Sequence, residues 1–145
     1  MFEENVKNWL EKNGFVDLEV VDDDEFRYDI DNKVIYTGVV STSEGIWFEQ
    51  FESDHGMKIT GIIPEVLAFL HEVGHYCTVD NFGNNDREDD NLNKFFIDMI
   101  EDSHDRMIKY WNLPMEFAAN MWVVDFVNNN IDAVKELCDM WEVCE

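Results

Sequence analysis

Two histidines and a glutamate carry the clearest chemical pattern in the chain, in the stretch His71-Glu72-Val73-Gly74-His75, which matches H-E-x-x-H. At about 100° per residue, His71 and His75 lie roughly 40° apart around a helix, and Glu72 lies roughly 60° from His75. Two such imidazoles can bind one zinc ion while the carboxylate faces its water. The pattern predicts His71 and His75 as zinc ligands and Glu72 as general base. A chance match, or a zinc site with a structural role only, stays open as an alternative.

A catalytic zinc site usually has three protein ligands and a water, so one ligand is still needed. Glu116 is the best candidate, because it stands in the first turn of a mostly apolar helix, where the helix N-terminus favours an ionised carboxylate. Asn120 follows four residues later on the same side and is expected to steady that carboxylate. Asp80 and Glu101 remain alternative ligands. Asp80-Asn81 also stands where a metzincin has its third histidine, which argues against that class.

Three further features bear on catalysis. Gly74 costs about 1 kcal/mol relative to alanine inside a helix, so we expect a strand or the cleft floor to pass close beside it. The aromatic run Ile46–Phe51 reads as an edge strand that could hold a substrate by β-augmentation. The candidates for stabilising an oxyanion are Tyr76, His104 and Tyr110.

Hydrophobic periodicity predicts an α+β fold. Five helices are expected, beginning near Phe2, Pro64, Leu92, Met115 and Ile131, with the third continuing to Trp111 and the last to Cys144. Short β-like runs at Leu18–Val21, Phe26–Ile30 and Val34–Val40 predict a small antiparallel sheet of about three strands, packed on the H-E-x-x-H helix. A length of 145 residues with 46% hydrophobic content fits a single domain spanning 1–145.

The charge is strongly negative: 10 Lys and Arg face 33 Asp and Glu, for a net charge of −23, with the acids concentrated in 17–31 and 80–105. Such a field repels nucleic acid and anionic membranes and attracts basic partners, so we expect neither direct nucleic-acid binding nor membrane binding. A solvated acidic surface without a partner is the alternative. The chain has an odd number of cysteines, Cys77, Cys138 and Cys144, and none of them forms a C-x-x-C pair. This predicts a reducing, cytoplasmic location. The absence of a signal-peptide pattern and of an apolar run of membrane-spanning length agrees with that expectation.

Two motifs, His71-Glu72-Val73-Gly74-His75-Tyr76 and Glu116-Phe117-Ala118-Ala119-Asn120, make the chain resemble the ImmA/IrrE-type minimal metallopeptidases, which are gluzincin-like zinc enzymes. In that family a short N-terminal helix and a small sheet precede the H-E-x-x-H helix, and a later E-x-x-A-N-like helix supplies the third ligand. The similarity in the order of elements extends over about residues 1–127. It implies zinc as the cofactor and Glu116 as the third ligand.

The resemblance also implies an endopeptidase that cuts a cytosolic protein, often a DNA-binding repressor of a phage or mobile element. Such a repressor is typically basic, and the acidic chain would attract it. The rival hypothesis is an acidic binding protein that imitates nucleic acid and blocks a basic nucleic-acid-handling enzyme, with any metal site structural. The two differ in whether Glu72 or the acidic segment 80–105 carries the activity.

Overall fold

The computed structural model describes residues 2–59 and 61–143, which form seven α-helices and three short strands. The helices are α1 (Phe2–Lys12), α2 (Thr42–His55), α3 (Pro64–Thr78), α4 (Asn84–Ile97), α5 (Ser103–Trp111), α6 (Pro114–Asn129) and α7 (Ile131–Val143). The strands are β1 (Glu19–Asp22), β2 (Arg27–Asp29) and β3 (Val34–Thr37), and a short 3-10 helix (Val79–Asn81) follows α3. The predicted α+β class is confirmed, and the predicted number of five helices is wrong.

One additional helix is α2, which contains the run Ile46–Phe51 that was predicted as a strand. Ser41 caps its N-terminus by accepting a hydrogen bond from the Glu44 backbone N–H. Phe48 and Phe51, one helical turn apart, are both buried, so the aromatic run has a helical rather than an alternating burial pattern. The predicted substrate-holding edge strand at this position is therefore wrong.

The other additional helix results from a break in the run predicted as one helix from Leu92 to Trp111. Helix α4 ends at Ile97 and α5 begins at Ser103. Asp102 caps α5, because its side chain accepts hydrogen bonds from the backbone N–H groups of His104 and Asp105. Aspartate at such a position favours a helix start over a helix interior.

The sheet is mixed, with strand order β1-β3-β2. Strands β2 and β3 form the predicted antiparallel hairpin, whose turn places Lys33 at a φ of 54°. Strand β1 instead pairs with β3 in parallel, so that Val20 lies opposite Ile35. The predicted antiparallel sheet is wrong in this pair, because the chain after β1 crosses to the far side of β3 before the hairpin begins. Hydrophobic patterning predicts strands without specifying such a crossover.

Helix α3 lies at the centre of the fold. Pro64 occupies its first turn, as predicted, and Val66, Phe69, Leu70 and Val73 are fully buried. The helix packs most extensively against α6 and also contacts α2, α7 and strands β2 and β3. The sheet therefore packs on the H-E-x-x-H helix as predicted, and burial on several sides holds the motif helix rigidly.

The helices and the cysteines were both considered in the prediction of cellular location. In the part of the chain that the structure describes, none of the helices combines the length and the apolar character needed to cross a membrane. Cys77 and Cys138 are both free thiols. The third cysteine, Cys144, lies outside the described residues, as does the predicted end of the last helix.

Candidate metal centre

Helices α3 and α6 bring the three predicted zinc ligands together. His71 and His75 lie one turn apart on α3, and Glu116 lies in the first turn of α6, two residues after Pro114. Oε2 of Glu116 is 2.9 Å from Nε2 of His71 and 2.7 Å from Nε2 of His75. All three donor atoms fall within 4.8 Å of one another. This convergence is the arrangement that a three-ligand metal site requires.

The alternative ligands do not join this cluster. Asp80 and Glu101 are both exposed, whereas His71 and Glu116 are buried. Among the described residues, His71, His75 and Glu116 form the single group of His, Cys, Asp and Glu side chains whose donor atoms lie close enough to share an ion. The His75 side chain keeps 14% of its surface exposed, so the cluster opens toward solvent on that side.

Asn120 contacts a different residue from the one predicted. Its Oδ1 lies 2.8 Å from Nδ1 of His71, and not against Glu116. An amide oxygen can only accept, so Nδ1 of His71 donates, and an imidazole with one proton would then carry its lone pair on Nε2. Asn120 thus orients His71 and selects the tautomer whose Nε2 can bind a metal. The predicted contact between Asn120 and the carboxylate of Glu116 is therefore wrong, and the partner of Asn120 is His71.

The donor set fits a divalent metal. With Nδ1 of His71 donating to Asn120, Nε2 faces a carboxylate oxygen at 2.9 Å, and it would be an acceptor in the neutral imidazole. Two acceptors at that distance repel unless a proton or a cation lies between them. Two imidazole nitrogens and one carboxylate oxygen are ligands typical of zinc. The structure is therefore consistent with a zinc site at this point.

His71 and Glu116 shift each other's pKa values. Burial alone would lower the pKa of His71, but the hydrogen bond and charge of Glu116 raise it overall. Burial alone would raise the pKa of Glu116, but hydrogen bonds from both imidazoles hold it far below its ordinary value. Glu116 is therefore ionised, which is the form that a metal ligand requires.

Lys94 of α4 was missed by the sequence analysis. Its Nζ donates to Oε1 of Glu116 at 2.8 Å and to Oδ2 of Asp90 at 2.9 Å. Lys94 thus donates its hydrogen bond to Oε1 of Glu116, while Oε2 faces the two histidines. The only sequence signal was its spacing of four residues from Asp90 inside an acidic segment, which predicts a helical ion pair without indicating its nearness to Glu116.

Glu72 is buried at the edge of two cavities. One cavity of 320 Å³ is lined by Glu72, His75 and Glu116, and a second of 650 Å³ is lined by Glu72 and His71. Burial raises the pKa of Glu72, although the neighbouring histidines partly offset that effect. Glu72 therefore lines both cavities and lies next to the group formed by His71, His75 and Glu116.

The three candidates for oxyanion stabilisation differ in position. Tyr110 lines both cavities, and burial raises the pKa of its phenol well above the ordinary value, so it keeps its O–H as a donor. Tyr76 instead packs against Phe15 and Tyr28. His104 is exposed on α5. Tyr110 is the one of the three that faces the cleft.

Comparison of the chain with protein-family models, with curated proteins and with solved structures gives no match. The resemblance to the ImmA/IrrE-type metallopeptidases therefore stays a prediction that depends on the two motifs.

Proposed function

We propose that this protein is a zinc-dependent endopeptidase. The observation that carries the proposal is the convergence of His71, His75 and Glu116 beside the buried carboxyl group of Glu72. A metal centre alone would fit a structural role. A buried acid that lines the cavities beside the centre is what hydrolysis additionally requires.

Each residue has a chemical role in this proposal. Zinc, when bound by His71, His75 and Glu116, would polarise a substrate carbonyl and make water more acidic. Glu72 takes the proton of the attacking water and delivers it to the nitrogen of the leaving amine. Burial, which raises the pKa of Glu72, makes its carboxylate a better proton acceptor for the first step. Tyr110 donates a hydrogen bond to the carbonyl oxygen as negative charge develops there.

The shape of the cleft favours internal cleavage. The two cavities extend from Glu72, and both are also lined by Phe26 and Tyr110, so a chain could pass through on either side of the carboxyl group. Strand β2 lies at an edge of the sheet, and its residues Arg27 and Tyr28 line one of the cavities. An edge strand can pair with an extended peptide. In this proposal β2 takes the substrate-holding role that was predicted for Ile46–Phe51.

The proposed substrate is a basic protein in the cytoplasm, and a DNA-binding repressor of a phage or mobile element is the kind that the family resemblance implies. The net charge of −23 supports this choice, because it attracts basic partners and speeds their association. The free thiols Cys77 and Cys138 are compatible with a reducing location.

The proposal is tested by measuring zinc content and peptide cleavage together. The wild-type protein, purified without chelator, should contain one zinc and cleave members of a library of unstructured basic peptides. Glu72→Gln should keep the zinc and lose cleavage, while His75→Ala should lose both. Glu65→Gln is the matched control, since Glu65 lies in the first turn of the same helix. A wild-type protein without zinc, or a fully active Glu72→Gln variant, would contradict the proposal.

A second candidate function is favoured by the exposed acids of α4. Asp86, Glu88 and Asp89 all face solvent and could imitate nucleic-acid phosphates toward a basic enzyme. In that case Glu72→Gln would leave activity intact, whereas charge reversal at these three positions would abolish it. Binding of the partner would also weaken steeply with salt.

A further inference from the structure

Helix α4 turns one face toward the smaller cavity of the cleft. Asp90 and Asn91 follow Arg87 by three and four residues and precede Lys94 by four and three, which is the spacing of a single helix face. All four residues line the cavity of 320 Å³ that Glu72 also lines. Two of these side chains have polar atoms that the rest of the described chain does not satisfy. The carboxylate Oδ1 of Asp90 and the Nε of Arg87 are both buried and lack a hydrogen-bond partner.

The unsatisfied oxygen belongs to a deeply buried carboxylate. Asp90 is only 6% exposed, and Lys94 engages its other oxygen at 2.9 Å. Buried polar atoms are nearly always paired in folded proteins, because leaving one unpaired costs its full desolvation free energy. An acceptor on Asp90 and a donor on Arg87, one helical turn apart on two residues that line one cavity, therefore indicate a ligand that supplies the complementary donor and acceptor.

The charges around the pair select the class of ligand. A cation would satisfy Asp90 but would be repelled by Arg87 and Lys94, and an anion would satisfy Arg87 but would be repelled by Asp90. An uncharged group with one N–H and one C=O satisfies both. In an extended peptide, the N–H and C=O of one residue point to the same side, as they do along the edge of a strand.

We propose that Arg87 and Asp90 form a subsite that binds the backbone of one extended substrate residue, with Nε–H of Arg87 donating to its C=O and Oδ1 of Asp90 accepting from its N–H. The inference rests on the proposed peptidase function and deepens it. Lys94 connects the subsite to the metal cluster, since its ammonium group bridges Asp90 and Glu116. A residue held there would lie beside the bond to be cut and would be recognised by its backbone, whatever its side chain.

The test measures binding, so that it does not depend on cleavage. The full-length Glu72→Gln protein, labelled with nitrogen-15, is titrated with acetyl-tetra-alanine amide while the Nε–H signals of arginine are followed by nuclear magnetic resonance. The signal of Arg87 should shift to saturation. The signal of Arg106, which lines the other cavity, should shift less, because its guanidinium already donates to the carbonyl of Ile100.

Two variants and their control identify the contacts. Asp90→Asn and Arg87→Lys should each weaken peptide binding by about tenfold, the loss expected when a hydrogen bond to a charged group is removed. Arg87→Lys keeps the charge and removes Nε, and it remains informative if Asp90→Asn fails to fold. Asp89→Asn makes the same charge change at an exposed neighbour and should leave the affinity unchanged.

Three results would overturn the inference: no shift at Arg87, equal affinity in all variants, or tighter binding of ethylguanidinium than of the peptide. The last result would identify a site for a basic side chain instead. If the peptide binds as expected but no peptide is cleaved by the wild-type protein, the proposed hydrolysis fails while the peptide subsite stands.

Discussion

Gly74 of α3 packs directly against the backbone of Ala119 of α6: a Cβ added to Gly74 would lie 2.7 Å from the carbonyl oxygen of Ala119. The backbone of α6, rather than a strand, is therefore the close neighbour that the costly glycine indicated. On α3, Gly74 stands between His71 and His75, and on α6, Ala119 follows Glu116 by three residues. The missing side chain thus sets the separation at which Glu116 reaches both imidazoles.

Gly74→Ala is expected to destabilise the protein by about 1–3 kcal/mol, because the added methyl group meets backbone that cannot move aside alone. Zinc affinity should fall as well, since pushing α6 away moves Glu116 from the histidines. Chemical denaturation and zinc competition with a chelator measure the two effects. Gly45→Ala is the matched control: Gly45 lies in α2 with nothing within 4 Å of the added Cβ, so the same substitution should stabilise by about 1 kcal/mol.

Asn120→Ala should weaken zinc binding by about 10- to 100-fold, the usual cost of removing a partner that orients a metal-binding histidine. The reason is local, since Oδ1 of Asn120 accepts the hydrogen bond that orients His71. Asn120→Asp retains an acceptor at the same place and should restore most of the affinity. Equal affinity of Asn120→Ala and the wild type would show that packing alone holds the imidazole in position.

Local rules were sufficient to single out His71, His75 and Glu116, whose side chains converge in the structure. The helical repeat places His71 and His75 on one side of α3, and an acid in the first turn of an apolar helix singled out Glu116. Both rules use only the residues within a turn or two of the position concerned. The start of α3 at Pro64 was also predicted from a local feature, and the structure confirms it.

The features that were missed depend on tertiary packing. The aromatic run in α2 suits a strand as well as a helix, and the stacking of Trp47 on Trp111 at 4.3 Å fixes its position only in the folded chain. In α4, four acids and two bases lie within nine residues, and their order does not show which face lines the cleft. Lys94 became recognisable as a partner of Glu116 only when α4 and α6 were placed together.

Ionisation of Tyr28 is expected to lower the stability of the fold at alkaline pH. Burial raises the pKa of Tyr28 from 10.0 to about 12, with repulsion from Tyr76 and Asp80 adding to the effect. The fold favours the neutral phenol, so this contribution is complete below pH 10, the pKa of the unfolded chain, and is lost as pH rises through about 12. Tyr28→Phe should therefore show a shallower fall of Tm over this interval than the wild type. Parallel profiles would show that the phenol ionises as readily in the folded protein.

Lys94 and a bound zinc ion would both neutralise Glu116. The ammonium group engages Oε1 at 2.8 Å, while Oε2 faces the two histidines. Glu116 is only 1% exposed, so without zinc its charge depends on Lys94 and the imidazoles. Two cations that stabilise one carboxylate also repel each other, which predicts that Lys94 opposes zinc binding while it stabilises the zinc-free protein.

Lys94→Met is accordingly expected to lower the free energy of unfolding of the zinc-free protein by about 2 kcal/mol, less than for a fully buried pair because Lys94 is partly exposed. The zinc-loaded protein should lose less, because zinc then neutralises Glu116. By linkage, zinc should bind more tightly to the variant, by about tenfold for each 1.4 kcal/mol of difference. Lys109→Met, at an exposed lysine of α5, should change neither quantity. Weaker zinc binding by Lys94→Met would mean that Lys94 chiefly holds Glu116 in place.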